Sequence, residues 1–168
     1  MLKKVKYYIK NLELKKHPEG GYFNEVYRAK EEIKKENLPA RFSGDRNFST
    51  SIYFLLDEEN ISHFHKIKSD EIWHFYDGST IRIYTIKNKD ELSIGLLGRN
   101  ISKGEQLQII IKKGIWFCAE VVGKKDFGLV GCTVSPGFDF EDFTLAKRDT
   151  LLKKFPKHKK IIKRFTKG

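Results

Sequence analysis

Cysteine, methionine and proline are scarce in this chain: two, one and four residues among 168. The two cysteines, Cys118 and Cys132, are not spaced as Cys-x-x-Cys and make no disulfide framework. Both sit among apolar neighbours and read as small buried hydrophobes. No apolar run approaches the roughly 20 residues that a membrane span requires. The opening MLKKVKYYIKNLELKK is interrupted by charge too often for a secretory signal. These absences point to a reducing cytoplasm and to no membrane partner. Also missing are a Gly-x-Gly-x-x-Gly turn after a strand, a P-loop, His-Glu-x-x-His and Gly-x-Ser-x-Gly. The lack of a phosphate-cradling loop argues against a nucleotide hydrolase.

What the chain has in quantity is aromatic side chains: 13 Phe, 7 Tyr and 2 Trp. Large flat side chains suit the half-buried surface of a pleated sheet. Short runs that read as strands cover Tyr22–Ala29, Ser51–Leu56, Ser62–Ile67, Glu71–Tyr76, Thr80–Lys87, Glu91–Leu97, Gln106–Ile111, Ile115–Val122 and Gly128–Val134. Turn residues separate them, including Asp77-Gly78, Asn88–Asp90, Lys113-Gly114 and Gly123–Asp126. Short strands at this spacing predict an antiparallel sandwich or barrel, and no long helix alternates with them as a parallel α/β fold would need.

Helices are expected only at the ends. Val5, Tyr8, Ile9 and Leu12 mark an opening amphipathic helix that ends near His17-Pro18. At the other end Asp149 can cap a turn carrying Leu151, Leu152 and Phe155, and Pro156 opens a second segment with Ile161, Ile162 and Phe165 on one stripe. A single domain over 1–168 is expected, with a core of about 10–150 and a basic helical tail over 150–168.

The net charge of +11 belongs to that tail. Ten of the 33 basic residues, and one of the 22 acids, fall in 147–168. The rest of the chain is close to balanced. The tail reads as a solvated helix face rather than a nucleic-acid binder, whose affinity would fall steeply with salt.

The stretch Ser62–Gly78, SHFHKIKSDEIWHFYDG, carries the chemistry. His63 and His65 are two apart, which places them on one face of a strand. Glu71 opens the next strand with Trp73 and Phe75 on its own face, and His74 has the opposite parity and should face away. If the strands are neighbours, His63, His65 and Glu71 converge, and two imidazoles with a carboxylate are a competent set for a divalent metal. Trp73 and Trp116 could stack on a ligand or pack in the core. Gln106 with Gln108, and Thr80 with Arg82 and Tyr84, share strand faces that point either inward to a ligand or outward to water. The loop His17–Phe23 has two glycines, for a sharp turn or for close approach of backbone to a ligand. Asp139, Glu141 and Asp142 could line the mouth of a barrel.

The order His63-x-His65, five residues, Glu71, six residues, Gly78 resembles the first cupin motif, in which the second gap is usually about three or four. At the place of the second motif stand Lys112-Lys113-Gly114-Ile115-Trp116-Phe117, with Lys112 for the usual proline and Phe117 where the fourth metal ligand would be. HPEGGYFNEVYR, TSIYFLL, SDEIWHFYDG, GIWF and LVGCTVSPGFDFEDF together resemble the cupin subfamily five proteins, over about residues 10–150. The resemblance implies a mainly β, antiparallel jelly-roll barrel and a homodimer. It also implies kinship of fold with sugar-nucleotide epimerases.

The reading that results is a small polar, carbohydrate-like or sugar-nucleotide ligand held in the barrel interior. His65 is the proton-transfer residue oriented by Glu71, with Tyr84 or Tyr27 as opposing acid. His63, Trp73, Gln108, Tyr27, Arg82, Trp116 and Phe117 are the candidate ligand contacts. The alternatives are an oxygenase or lyase holding a divalent metal through His63, His65 and Glu71, with Gln108 as a further candidate, and a binding protein without turnover. Phe117, which cannot coordinate, counts against the metal.

Overall fold

The computed structural model describes residues 2–87, 91–123 and 126–168. The turn expected at Asn88–Asp90, and Lys124 and Lys125 of the turn expected at Gly123–Asp126, lie outside them. Helix α1 spans Lys3–Asn11. The strands follow as β1 Lys15–Lys16, β2 Tyr22–Arg28, β3 Glu32–Ile33, β4 Arg46–Asn47, β5 Thr50–Asp57, β6 Ser62–Lys66, β7 Asp70–Gly78, β8 Ile81–Lys87, β9 Glu91–Leu97, β10 Gln108–Ile111, β11 Trp116–Val121, β12 Phe127–Ser135 and β13 Thr144–Leu145. Helices α2 Arg148–Lys154 and α3 Lys159–Arg164 end the chain.

Two antiparallel sheets face each other as a jelly roll. One has the order β1-β2-β5-β12-β7-β10 and the other β13-β6-β11-β8-β9, with β3 and β4 forming a separate ribbon in the expected excursion. The period-two alternation of the strands divides the apolar residues into three clusters. Phe54, Leu56, Trp73, Ile83, Phe117, Val130 and Cys132 fill the space between the sheets. Tyr22, Leu55, Phe127 and Leu129 point out of the larger sheet, where Val5 of α1 covers them. Phe64, Ile86, Trp116 and Cys118 point out of the smaller sheet under Leu151, Phe155, Ile162 and Phe165.

The basic C-terminal segment is therefore charged on one side only, and its apolar stripe is part of the fold. Asp149 lies in the first turn of α2, and the residue at the N-cap position is Lys147, which makes no side-chain cap. Helix α1 stops well before His17-Pro18, because Glu13 turns the backbone into the left-handed region at φ 51°. Among the described residues no helix is long and apolar enough to cross a membrane.

Two strands carry β-bulges that decide which side chains face inward. In β6 the pairing with β11 runs Phe117 to His65, then Ala119 to Ser62, so two residues of β6, His63 and Phe64, stand opposite one of β11, Cys118. In β2 the pairing with β5 runs Glu25 to Ile52, then Tyr27 to Ser51, again with one residue extra. A bulge resets strand parity, so residues three apart come to share a face.

Candidate functional site

Between the sheets a cavity of about 230 Å³ opens beside the segment that follows β12. Its wall includes His17, Glu19, Glu25, Arg28, His65, Glu71, Trp73, Cys132 and Asp139, with Phe23, Phe54, Phe138, Phe140 and Phe143. Cys132 is buried and free, as is Cys118, and burial pushes both thiols well up, so they stay protonated.

The loop before β2 brings in Glu19. Gly20 and Gly21 both have positive φ, 111° and 72°. A side chain at Gly20 would put its Cβ 2.0 Å from the Ile61 carbonyl oxygen, so only glycine lets this loop lie against the start of β6. The Glu19 carboxyl then accepts from Ser62 Oγ at 2.8 Å and meets His65 Nε2 at 3.1 Å. The His65 Nδ1–H donates to the His63 carbonyl at 2.8 Å. The Glu19 backbone N–H donates to His17 Nδ1 at 3.3 Å.

The electrostatics follow from burial. Burial lowers His65 to about 3 and His17 to about 4, so both rings are neutral at physiological pH. It pushes the Glu19 carboxyl well up, helped by the charge of Glu71 and opposed by Ser62. It raises Glu71 to about 7, against the opposing pull of the Trp73 indole and the Cys132 thiol. Trp73 Nε1 is itself buried without a hydrogen bond of normal geometry.

At the mouth, Arg28 donates from Nε and Nη2 to the two carboxylate oxygens of Glu25 at 2.9 and 2.7 Å. Arg28 Nη1 also donates to Asn47 Oδ1 at 2.7 Å, and both terminal nitrogens reach the Phe138 carbonyl at 3.1 Å. The strap that carries Phe138, Phe140 and Phe143 is fixed from below. Asp142 accepts from Arg46 Nε at 2.6 Å and Nη2 at 2.7 Å, both side chains being buried, and lies 3.1 Å from Lys68 Nζ.

Of the residues expected from the sequence, His65, Glu71 and Trp73 line this cavity. His63 does not: the β6 bulge gives the inward place to Ser62, and the His63 ring nitrogen Nδ1 meets the Glu19 carbonyl at 2.7 Å. Tyr27 is 52% exposed, because the β2 bulge turns Glu25 and Arg28 inward instead. Tyr84 and Arg82 face outward from β8, where Tyr84 donates to Glu120 at 2.8 Å and Arg164 of α3 pairs with the same carboxylate. Trp116 packs in the outer cluster with the Lys66 ammonium 4.9 Å from its ring. Gln108 is exposed opposite His74, whose Nε2 lies 3.2 Å from Thr133 Oγ1. Phe117 is in the inner core with its ring 4.0 Å from that of His65, but it does not line the cavity.

The metal set does not assemble. His63 points elsewhere, His65 Nε2 is directed at Glu19, and a phenyl ring packs on His65 from β11. Among the described residues no group of three or more His, Cys, Asp or Glu side chains is arranged to hold a metal ion. Sequence reasoning missed Glu19 and His17 as site residues. Their signal was the Gly20-Gly21 pair, which makes a sharp turn that lies against the Ile61 carbonyl, neither glycine lining the cavity.

Comparison with known proteins agrees with this architecture. The profile of the Cupin_5 family (cupin superfamily, DUF985) matches residues 6–146. The uncharacterized yeast protein YML079W is 32% identical over 157 residues, 86% of this chain and 76% of its own. The solved structure of protein SO0799 from Shewanella oneidensis is 36% identical with a TM-score of 0.88, over 99% of each chain. A hypothetical protein from Leishmania major is 32% identical with a TM-score of 0.87, over 97% of this chain and 98% of its own. Oxalate decarboxylase from Bacillus subtilis, at 15% identity and a TM-score of 0.54 over 89% of this chain and 36% of its own, shares the fold alone. Profile, relatives and strand order agree: this chain belongs to the Cupin_5 family of the cupin superfamily.

Proposed function

We propose that this cupin binds a small polar, carbohydrate-like molecule in its cavity and moves a proton on it without a metal, as an isomerase or epimerase does. The observation that carries this reading is the meeting of two buried carboxyl groups, Glu19 and Glu71, with a neutral imidazole in one cavity. Two carboxyls in one low-dielectric space resist ionising together, so near neutral pH one is acid while the other is base. Glu71, at about 7, is the base that takes a proton from a carbon next to a carbonyl. The Glu19–His65 pair is the opposing acid that returns one. His65 thus acts through Glu19 rather than being oriented by Glu71, and Tyr84, on the outside of the barrel, has no part.

The volume supports a ligand of monosaccharide size. About 230 Å³ is below the roughly 300–1,000 Å³ of sites for drug-sized ligands. A whole sugar nucleotide exceeds it.

The test is proton exchange. A panel of reducing sugars is incubated with the protein in heavy water containing a chelator, and exchange at carbon is followed by NMR. Wild type should exchange at least one member, and Glu71→Gln should slow it by about a hundredfold or more, the usual scale of a general base. Exchange that survives in both Glu71→Gln and Glu19→Gln overturns the reading. Binding without exchange on any member reduces it to a binding protein.

A further inference from the structure

Among the described residues the inner carboxyl groups of the cavity face no lysine or arginine. Glu19 and Glu71 are 6% and 8% exposed, and among the described residues no Lys or Arg pairs with either. The groups that surround them are His65 on β6, His17 on the entry loop, Trp73 on β7 and Cys132 on β12, none of them cationic. Arg28, the one guanidinium on the wall among the described residues, is committed to Glu25, Asn47 and the Phe138 carbonyl, and Asp139 adds another acid at the mouth. Ionisation of either inner carboxyl therefore leaves a buried charge unpaired, which proteins avoid at a cost of several kcal/mol.

Two further observations say what would complete the site. The walls are rings: Phe23, Phe54, Trp73, Phe138, Phe140 and Phe143. Aromatic faces attract cations, most strongly where water is excluded. On the same wall the Trp73 indole N–H, in a side chain 1% exposed, is directed toward the Glu71 carboxyl without completing a hydrogen bond of normal geometry.

We infer that the cavity is built for a small organic cation, an ammonium-bearing polyol of the amino-sugar class. Its nitrogen pairs with Glu71 among the rings, and one of its hydroxyl oxygens accepts from Trp73 Nε1. The inference rests on the ligand-binding reading above and narrows its substrate class. A neutral sugar leaves the carboxyls without a counter-charge, and an anion is repelled by them. Because a cation favours the ionised form of Glu71, binding near neutral pH drives a proton off that carboxyl.

The experiment is calorimetry of the full chain with three matched acyclic probes, glucamine, sorbitol and gluconate, at mildly acidic to neutral pH. Glucamine should bind at least about tenfold tighter than sorbitol, and gluconate should not bind. Glu71→Gln should bring the affinity for glucamine to within about twofold of that for sorbitol. Glucamine binding to wild type should also release protons, read from the difference between buffers of unlike ionisation enthalpy. Sorbitol or gluconate binding as tightly as glucamine, a preference that survives Glu71→Gln, binding without proton release, or no binding of glucamine would each overturn the inference. The proton-exchange assay judges the acid–base reading separately, so exchange on neutral sugars with no preference for the cation sinks only the present inference.

Discussion

His65 Nε2 lies 3.1 Å from Oε2 of Glu19, while its other ring nitrogen is held by the His63 carbonyl at 2.8 Å. A carbonyl only accepts, so Nδ1 carries the ring hydrogen, and Nε2 of the neutral ring is an acceptor. The proton between the two side chains therefore resides on Glu19, whose carboxyl is pushed well up by burial.

This assignment separates two substitutions at one position. Glu19→Gln supplies an N–H where the acid proton was and should keep stability within about 1 kcal/mol of wild type. Glu19→Ala strips both Ser62 and His65 of their partner and should cost about 1–3 kcal/mol for each group left bare. Urea unfolding at neutral pH measures both. A Gln variant as unstable as the Ala variant would mean an ionised Glu19.

Glu71 should give the stability an unusual pH slope. Its carboxyl is raised from 4.5 to about 7, so between those values the folded chain holds a proton that the unfolded chain has lost. Stability therefore falls as pH rises through this window, by on the order of 3 kcal/mol from this group. Glu71→Gln removes that part of the slope. The variant should match wild type at pH about 5 and exceed it at pH about 8, by denaturant titration at each.

Asp142 and Arg46 are buried partners, joined at 2.6 and 2.7 Å beneath the strap. Asp142→Ala leaves the buried Arg46 guanidinium with only the exposed Glu141 carboxylate, 3.5 Å away, and should cost about 3 kcal/mol. Replacing both partners, as Arg46→Met with Asp142→Leu, should recover most of the loss. Thermal unfolding of the three variants checks the cycle.

Gly20→Ala should harm the site from a distance. The added Cβ meets the Ile61 carbonyl oxygen at 2.0 Å, at a φ of 111° that side chains rarely adopt. The loop must move off β6, taking Glu19 with it. The expected loss is about 1–3 kcal/mol of stability, together with a shift of the His65 ring signals in NMR.

Tyr84→Phe tests the outward assignment of β8. It removes the 2.8 Å bond to Glu120 under α3 and touches nothing in the cavity. Stability should drop by about 0.5–1.5 kcal/mol with ligand binding unchanged in calorimetry. Weaker binding would return Tyr84 to the site.

The sequence by itself determined the fold class and the inward direction of His65, Glu71 and Trp73. Alternation of apolar and polar residues, punctuated by turn residues, fixes which face of a strand is buried, and that pattern is local. Only the tertiary structure decided the company these residues keep. A bulge in β6 exchanged His63 for Ser62, a bulge in β2 exchanged Tyr27 for Arg28, and Tyr84, Arg82 and Trp116 were drawn outward to meet the C-terminal helices. Register shifts depend on the neighbouring strand, and Glu19 enters from a loop whose place against β6 is set by a contact with Ile61, distant in sequence. Such pairings are energies between segments, and no periodicity within one segment records them.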